Sequence, residues 1–141
     1  MILDYIHGQG KIGVMVKFGL SDASLKDNPR VKEVAFDLTL HTAAFAPLFL
    51  HRDQVPADYW AEQEEIFTKQ AEKLGKPENV VKGIVQGKMN KHLAEICFVD
   101  QPFVKDQNLK VSKVLDELGK EIGGQVQIDE YLYYKVGEEQ E

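Results

Sequence analysis

The spacing of apolar residues predicts three β-strands. Between Lys11 and Leu20 every second residue is apolar, which is the period of a strand with one buried face. The strand-like segment Ile2 to Ile6 precedes it, and the stretch His7 to Gly10, with two glycines, predicts a tight hairpin between them. A second alternation, interrupted at Glu130, uses five apolar residues: Val126, Ile128, Leu132, Tyr134 and Val136. We expect these segments to form one antiparallel sheet, with the last strand returning from far along the chain.

Four further segments have the apolar spacing of α-helices. The first begins at Pro29, with Asn28 or Asp27 as its cap, and ends before Pro47. The last extends from Val111 to Ile122, where two glycines follow it. We expect both helices to cover the sheet.

The two middle helices are joined by only three residues, Gly75-Lys76-Pro77, and must therefore run antiparallel. The first spans Pro56 to Leu74, and its predicted packed side contains Tyr59, Ile66, Phe67, Ala71 and Leu74. The predicted packed side of the second contains Val80, Val81, Ile84, Val85, Met89, Leu93 and Ile96. Their outer faces are polar, which predicts a projecting helical hairpin at residues 56–97, inserted in a single domain of residues 1–141. The fold class is α+β: a small antiparallel three-stranded sheet covered by helices, with the hairpin projecting from it.

Composition and charge restrict the class of protein. The chain has 141 residues, 43% of them hydrophobic, which suits one globular domain with a single core. Its formal net charge of −6 argues against nucleic-acid binding, because phosphate neutralisation needs a clustered basic face. No apolar stretch approaches the roughly 20 residues of a membrane span, and the single cysteine, Cys97, suits a reducing compartment. We expect a cytoplasmic protein that binds neither nucleic acid nor membranes.

Few residues in the chain could carry out chemistry. His41, His51, His92 and Cys97 lack the short pair spacings of a zinc site, so we expect no metal. We expect His41 to be packed, His51 and His92 to lie at the surface, and Cys97 to be a buried thiol because its neighbours are apolar. These features predict no catalytic residue and no cofactor. An enzyme that uses Cys97 with a histidine is a rival hypothesis, which an exposed thiol of low pKa would support.

Several short motifs occur in an order that resembles the C-terminal half of elongation factor Ts, the exchange factor for elongation factor Tu. Each motif alone is weak evidence, whereas their joint order across most of the chain is specific. In chain order the motifs are Tyr5-Ile6-His7-Gly8, Lys11-Ile12-Gly13-Val14, His41-Thr42-Ala43-Ala44, Gly75-Lys76-Pro77-Glu78-Asn79, Gly87-Lys88-Met89-Asn90-Lys91 and Gln101-Pro102-Phe103-Val104-Lys105-Asp106. The resemblance implies the same α+β fold that the apolar pattern predicts.

The resemblance also implies a function and a binding site. It implies a guanine nucleotide exchange factor that promotes GDP release from elongation factor Tu during translation elongation. Such a factor makes and breaks no covalent bond, so the resemblance implies that the chain is not an enzyme. In the family, the histidine that matches His7 contacts elongation factor Tu and helps to weaken nucleotide binding. We therefore expect His7 and its neighbours Ile6, Gly8 and Gln9 to contact the partner. The sequence leaves open whether the chain also forms a homodimer.

The resemblance covers only the C-terminal half of the family. Full-length members also carry a Thr-Asp-Phe-Val motif whose phenylalanine enters the nucleotide-binding domain of elongation factor Tu, and no Thr-Asp-Phe occurs in this sequence. We therefore expect a docking module with little or no exchange activity of its own. The alternative function is that of an interaction or dimerisation module that uses the helical hairpin and has no exchange activity.

Overall fold

The main elements follow one another as two strands, three α-helices, two short strands, a fourth α-helix and a last strand, and all of them except the two short strands are predicted by the apolar pattern. The computed structural model describes residues 1–137. The strands are β1 (Ile2–His7), β2 (Ile12–Leu20), β3 (Pro102–Phe103), β4 (Asp106–Lys110) and β5 (Val126–Lys135). The α-helices are α1 (Pro29–Phe45), α2 (Ala57–Glu72), α3 (Glu78–Ile96) and α4 (Val111–Ile122). Single 3-10 turns cover Ala23–Asp27, Arg52–Gln54 and Phe98–Asp100. The predicted α+β class is confirmed.

The main sheet contains three antiparallel strands in the order β1-β2-β5, as predicted. The strand β2 lies in the centre, where Val14 pairs with Tyr5 on one side and with Tyr133 on the other. The inner face of β2 carries Val14, Val16 and Phe18, all buried. The alternation predicted for this strand is therefore confirmed.

A β-bulge reverses the alternation of β5. Lys17 pairs with Glu130, but the next residue of β2, Phe18, pairs with Ile128. Asp129 is therefore the extra residue that the partner strand does not match. A bulge shifts the two-residue period by one position, so side chains on either side of it exchange faces.

The reversed alternation corrects one prediction from the sequence. After the bulge, Tyr131 and Tyr133 face the core and are half-buried, whereas Leu132, Tyr134 and Val136 are at least 50% exposed. The prediction that these three residues share the buried face of the preceding half of the strand is wrong. A prediction that assumes a constant period of two residues misses a one-residue bulge, because the bulge moves every later side chain of the strand to the other face.

The helix α1 begins and ends where the sequence predicts. The Asn28 side chain accepts hydrogen bonds from the backbone N–H groups of Arg30 (2.8 Å) and Val31 (3.3 Å), which satisfies two donors of the first turn. The helix ends at Phe45, and the capping residue Ala46, which has a left-handed backbone (φ 42°), follows immediately before Pro47. Helices α1 and α4 cover the inner face of the sheet. The buried core between these elements consists of Val16, Phe18, Val31, Val34, Ala35, Leu38, Leu50, Phe98, Phe103, Val111, Val114, Leu118, Val126 and Ile128.

The antiparallel pair α2 and α3 has a small apolar cluster of its own. It consists of the buried residues Ala71, Val81, Val85 and Met89 and is separate from the main core. A second cluster at the base of the pair contains Leu93, Ile96 and Cys97, with Phe49, Val55, Tyr59 and Trp60 packed against it. Among the helices of residues 1–137, none combines the length and the apolar character needed to cross a membrane.

The buried apolar surface between α2 and α3 is narrower than the sequence predicts. Ile66, Leu74 and Val80 belong to the predicted packed sides, but they are 41%, 56% and 40% exposed. Two helices in contact bury a single stripe at i and i+4 positions, which here is Val81, Val85 and Met89. The three exposed residues flank that stripe.

A buried imidazole connects α1 to the segment that follows α3. The Nε2 atom of His41 lies 2.8 Å from Oε1 of Gln101, and its Nδ1 atom accepts a hydrogen bond from the backbone N–H of Val104 (3.1 Å). Gln101 in turn donates to the carbonyl oxygen of Glu95, at 2.7 Å. The prediction that His41 is packed is confirmed, since it is completely buried.

The segment after α3 forms a second, two-stranded sheet that the sequence does not predict. The strands β3 and β4 pair antiparallel, and Phe103 of β3 is buried in the main core. Phe103 thereby attaches this segment to the main core. The apolar pattern does not indicate these strands, because β3 has only two residues and β4 shows no apolar alternation.

Candidate functional site

The turn between β1 and β2 has a backbone that favours glycine. Gly8, Gln9 and Gly10 all have positive φ angles, of 64°, 60° and 88°. The N–H of Lys11 donates to the carbonyl oxygen of Gly8, so that Gln9 and Gly10 are the two central residues of a β-turn. Positive φ at both central positions matches the right-handed twist of the flanking strands. Gln9 adopts this backbone without being glycine, which costs free energy and is typical of functional loops.

The four residues predicted to contact a partner lie at two neighbouring places. His7, Gly8 and Gln9 are exposed at the turn. Ile6 is 66% exposed and lies on the opposite face of β1, since successive strand residues alternate between faces. The structure thus brings three of the four together at the turn and places Ile6 on the outer face of the sheet.

Ile6 belongs to an apolar patch that the sequence reading missed. On the outer face of the sheet, Ile6 pairs with Gly13, which pairs in turn with Tyr134, and Met15 pairs with Leu132. We call these five residues the outer sheet patch. Their four side chains are 44% to 66% exposed, and no atom lies within 4 Å of where a Cβ of Gly13 would be. The bulge at β5 creates the patch, because it turns Leu132 and Tyr134 outward.

Tyr5 is a second residue that the sequence reading missed. Its hydroxyl oxygen lies 2.9 Å from Nδ1 of His7, and the two ring centroids are 5.8 Å apart. Within residues 1–137, Nε2 of His7 has no hydrogen-bond partner. The sequence could have indicated this contact, because Tyr5 and His7 are residues i and i+2 of one strand, and such residues lie on the same face.

The other histidines and the cysteine are not assembled into a reactive site in the described part of the chain. His41 contacts Gln101, and Nε2 of His92 lies 2.8 Å from the Tyr59 hydroxyl. His92 is half-buried, so its predicted surface position is wrong. Cys97 is completely buried, and this burial raises the pKa of its thiol, which disfavours the reactive thiolate. Over residues 1–137, no three potential metal ligands come together.

A polar turn next to an exposed apolar patch is typical of a protein-binding domain. The comparisons with known proteins give the family. The family model described as Elongation factor TS matches residues 1–138. The chain is 49% identical to the elongation factor Ts of Borreliella burgdorferi strain B31 over 134 residues, which are 94% of the chain and 48% of that protein. It is 45% identical to the elongation factor Ts of Treponema denticola over 133 residues, which are 94% of the chain and 48% of that protein.

The chain therefore belongs to the elongation factor Ts family. It is also 46% identical to the elongation factor Ts of Borrelia recurrentis strain A1, over 97% of the chain and 50% of that protein. The chain thus spans about half the length of the curated relatives it matches. The resemblance inferred from the short motifs is confirmed.

Proposed function

We propose that this chain is the docking half of a guanine nucleotide exchange factor, which binds elongation factor Tu in the cytoplasm and favours its nucleotide-free state during translation elongation. The observation that carries the proposal is the family match over residues 1–138. The exposed turn of His7, Gly8 and Gln9 and the adjacent outer sheet patch support it, because both are accessible for contact with a protein.

The proposed mechanism is differential binding and needs no cofactor. A factor that binds nucleotide-free elongation factor Tu more tightly than the GDP complex must weaken GDP binding by the same ratio, by about a hundredfold for example. The chain neither forms nor breaks a covalent bond in this scheme. The coupling free energy comes from interactions that differ between the nucleotide-free and the GDP-bound complex.

In this proposal, the residues of the turn and the outer sheet patch have separate roles. His7 offers a ring nitrogen to a polar group of elongation factor Tu. Gly8, which has no side chain, allows the partner to approach the backbone closely, and Gln9 contacts the partner beside it. Ile6, on the other face of β1, adds apolar contact area. Burial of such a side chain contributes roughly 1 to 2 kcal/mol.

Calorimetric titration of the chain into nucleotide-free elongation factor Tu, with and without GDP, tests the proposal. We expect binding that GDP weakens, and a loss of at least about 1 kcal/mol of binding free energy in His7→Ala. His51→Ala is the matched control, because His51 is also an exposed histidine but lies before α2. Equal binding by wild type and His7→Ala, both stably folded, would remove His7 from the interface.

The exchange step needs its own measurement. Because the sequence contains no Thr-Asp-Phe motif, we expect the 141-residue chain to bind elongation factor Tu yet accelerate GDP release far less than a full-length relative does. Stopped-flow release of a fluorescent GDP analogue measures this rate. A rate enhancement equal to that of the full-length relative would show that the chain carries the complete activity.

A second candidate function is an interaction or dimerisation module that uses α2 and α3. One observation favours it: Ile66, Leu74 and Val80 leave apolar surface exposed on this helical hairpin. Sedimentation velocity distinguishes the candidates. A stable homodimer that Ile66→Glu dissociates, together with no affinity for elongation factor Tu, would support the module and contradict the docking function.

A further inference from the structure

The hydrogen bond between Tyr5 and His7 joins a fixed residue to an exposed one. Tyr5 is half-buried on the inner face of β1, and its backbone pairs with Val14 in the centre of the sheet. His7 is the last residue of the strand and is exposed. The 2.9 Å contact to Nδ1 therefore attaches a side chain at the turn to the rigid part of the sheet.

The chemistry of the two rings favours one of the two possible directions of this hydrogen bond. A neutral imidazole has one N–H donor and one acceptor nitrogen, and a phenol hydroxyl can donate or accept. Because a phenol is the stronger acid and an imidazole nitrogen the stronger base, the direction in which Tyr5 donates to Nδ1 is favoured. When the Tyr5 hydroxyl donates to Nδ1, the imidazole proton resides on Nε2. Since Nε2 has no partner within residues 1–137, the N–H remains available to another molecule.

We propose that Tyr5 is a positioning residue, which orients the ring of His7 and keeps its proton on Nε2, so that His7 presents an N–H donor to an acceptor on the partner. This inference rests on the proposed function, in which His7 contacts elongation factor Tu. Binding by a preorganised side chain is tighter because less rotational freedom is lost on association. In this proposal Tyr5 acts through His7 and not through a contact of its own with the partner.

The first experiment needs no partner. Tyr5→Phe removes only the hydroxyl, and nitrogen NMR of the histidine rings in mildly alkaline solution, where imidazoles are neutral, reports the position of each proton. We expect a single tautomer of His7 with the proton on Nε2 in the wild type, and a mixture in Tyr5→Phe. The His51 signals serve as the internal control and should not change. An identical His7 spectrum in both proteins would overturn the inference.

The second experiment measures binding to elongation factor Tu in two backgrounds. We expect Tyr5→Phe to weaken binding roughly threefold to tenfold, the range of a single neutral hydrogen bond. In the His7→Ala background the same change should have no effect, since Tyr5 acts only through His7. An equal loss in both backgrounds would identify Tyr5 as a direct contact and contradict the positioning role.

Two further variants identify the contacting nitrogen and separate the two proposals. The amide of His7→Gln reaches the position of Nε2, whereas that of His7→Asn reaches the position of Nδ1, so we expect the Gln variant to retain more affinity. If His7→Ala weakens binding but Tyr5→Phe does not, only the positioning role is wrong. If His7→Ala leaves binding unchanged, the proposed contact is wrong and the positioning role with it.

Discussion

Replacement of His41 should show how the buried imidazole supports the fold and how this support depends on pH. The variant His41→Asn keeps an acceptor near the position of Nδ1, for the N–H of Val104, but loses the contact of Nε2 with Gln101. The Oε1 atom of Gln101 is then buried without a partner, which costs about 1 to 3 kcal/mol. The smaller side chain also loses packing against Phe98, whose ring centroid lies 5.4 Å from that of His41. We expect a loss of roughly 2 to 3 kcal/mol in the free energy of unfolding at pH 7.5.

The pH dependence of this loss has a definite sign. Burial lowers the pKa of His41 below its ordinary value of 6.5, because the charged ring would lose its hydration, although the hydrogen bond with Gln101 opposes the shift. The unfolded chain therefore binds a proton at His41 more readily than the folded protein. The contribution of His41 is complete above the unfolded pKa and is lost as pH falls from about 6.5 towards the folded pKa, by at most about 1.4 kcal/mol per pH unit.

Urea denaturation of wild type and His41→Asn at pH 7.5 and pH 5.5 measures the effect. All other titrating groups are common to both proteins, so the difference between their unfolding free energies isolates His41. We expect this difference to shrink on acidification, because only the wild type loses the contribution of the imidazole. The exposed His51→Asn should match the wild type within about 0.5 kcal/mol at both pH values. A difference that stays constant or grows in acid would refute the reasoning.

Three further predictions concern local features of the fold. Asn28→Ala should lower the free energy of unfolding by about 1 kcal/mol, because the cap of α1 is lost, and unchanged urea denaturation would contradict this. Cys97 should react with iodoacetamide at neutral pH only as fast as the protein unfolds, since burial raises the pKa of its thiol; rapid alkylation without urea would show an accessible thiolate. Replacement of residues 68–85 by a short Gly/Ser linker should leave one cooperative thermal transition, because α2 and α3 pack there through their own cluster, and its disappearance would show that the hairpin belongs to the core.

The elements predicted correctly from the sequence are those whose signal is local. The five alternating apolar residues of β2 lie within ten positions, and the cap of α1 depends on Asn28 and Pro29, which are adjacent. The predicted bounds of α4, Val111 and Ile122, agree with the structure. In each case, a residue and its close neighbours determine the backbone without help from distant contacts.

The features that could not be predicted depend on distant contacts or on a single inserted residue. Asp129 shifts the period of β5. Aspartate is uncommon in strands, but this preference alone does not specify a bulge. His41 and Gln101 are 60 positions apart, so their pairing exists only in the folded chain. At the candidate site, the exposed turn around His7 was predicted, whereas the outer sheet patch was not, because the patch depends on the bulge. The contact of His7 with a partner stays a prediction.

The position of β5 in the sheet has a consequence for the order in which the protein folds. The central strand β2 pairs with a strand at the far end of the described chain, from Ile12 with Lys135 to Leu20 with Val126. Closing so long a loop costs entropy before any pairing contact is gained, and such nonlocal contacts slow folding. The pair α2 and α3 needs only nearby contacts and can form first. On a ribosome, β2 would therefore lack its β5 partner until residues 126–135 have emerged, so one edge of the central strand stays unpaired until then.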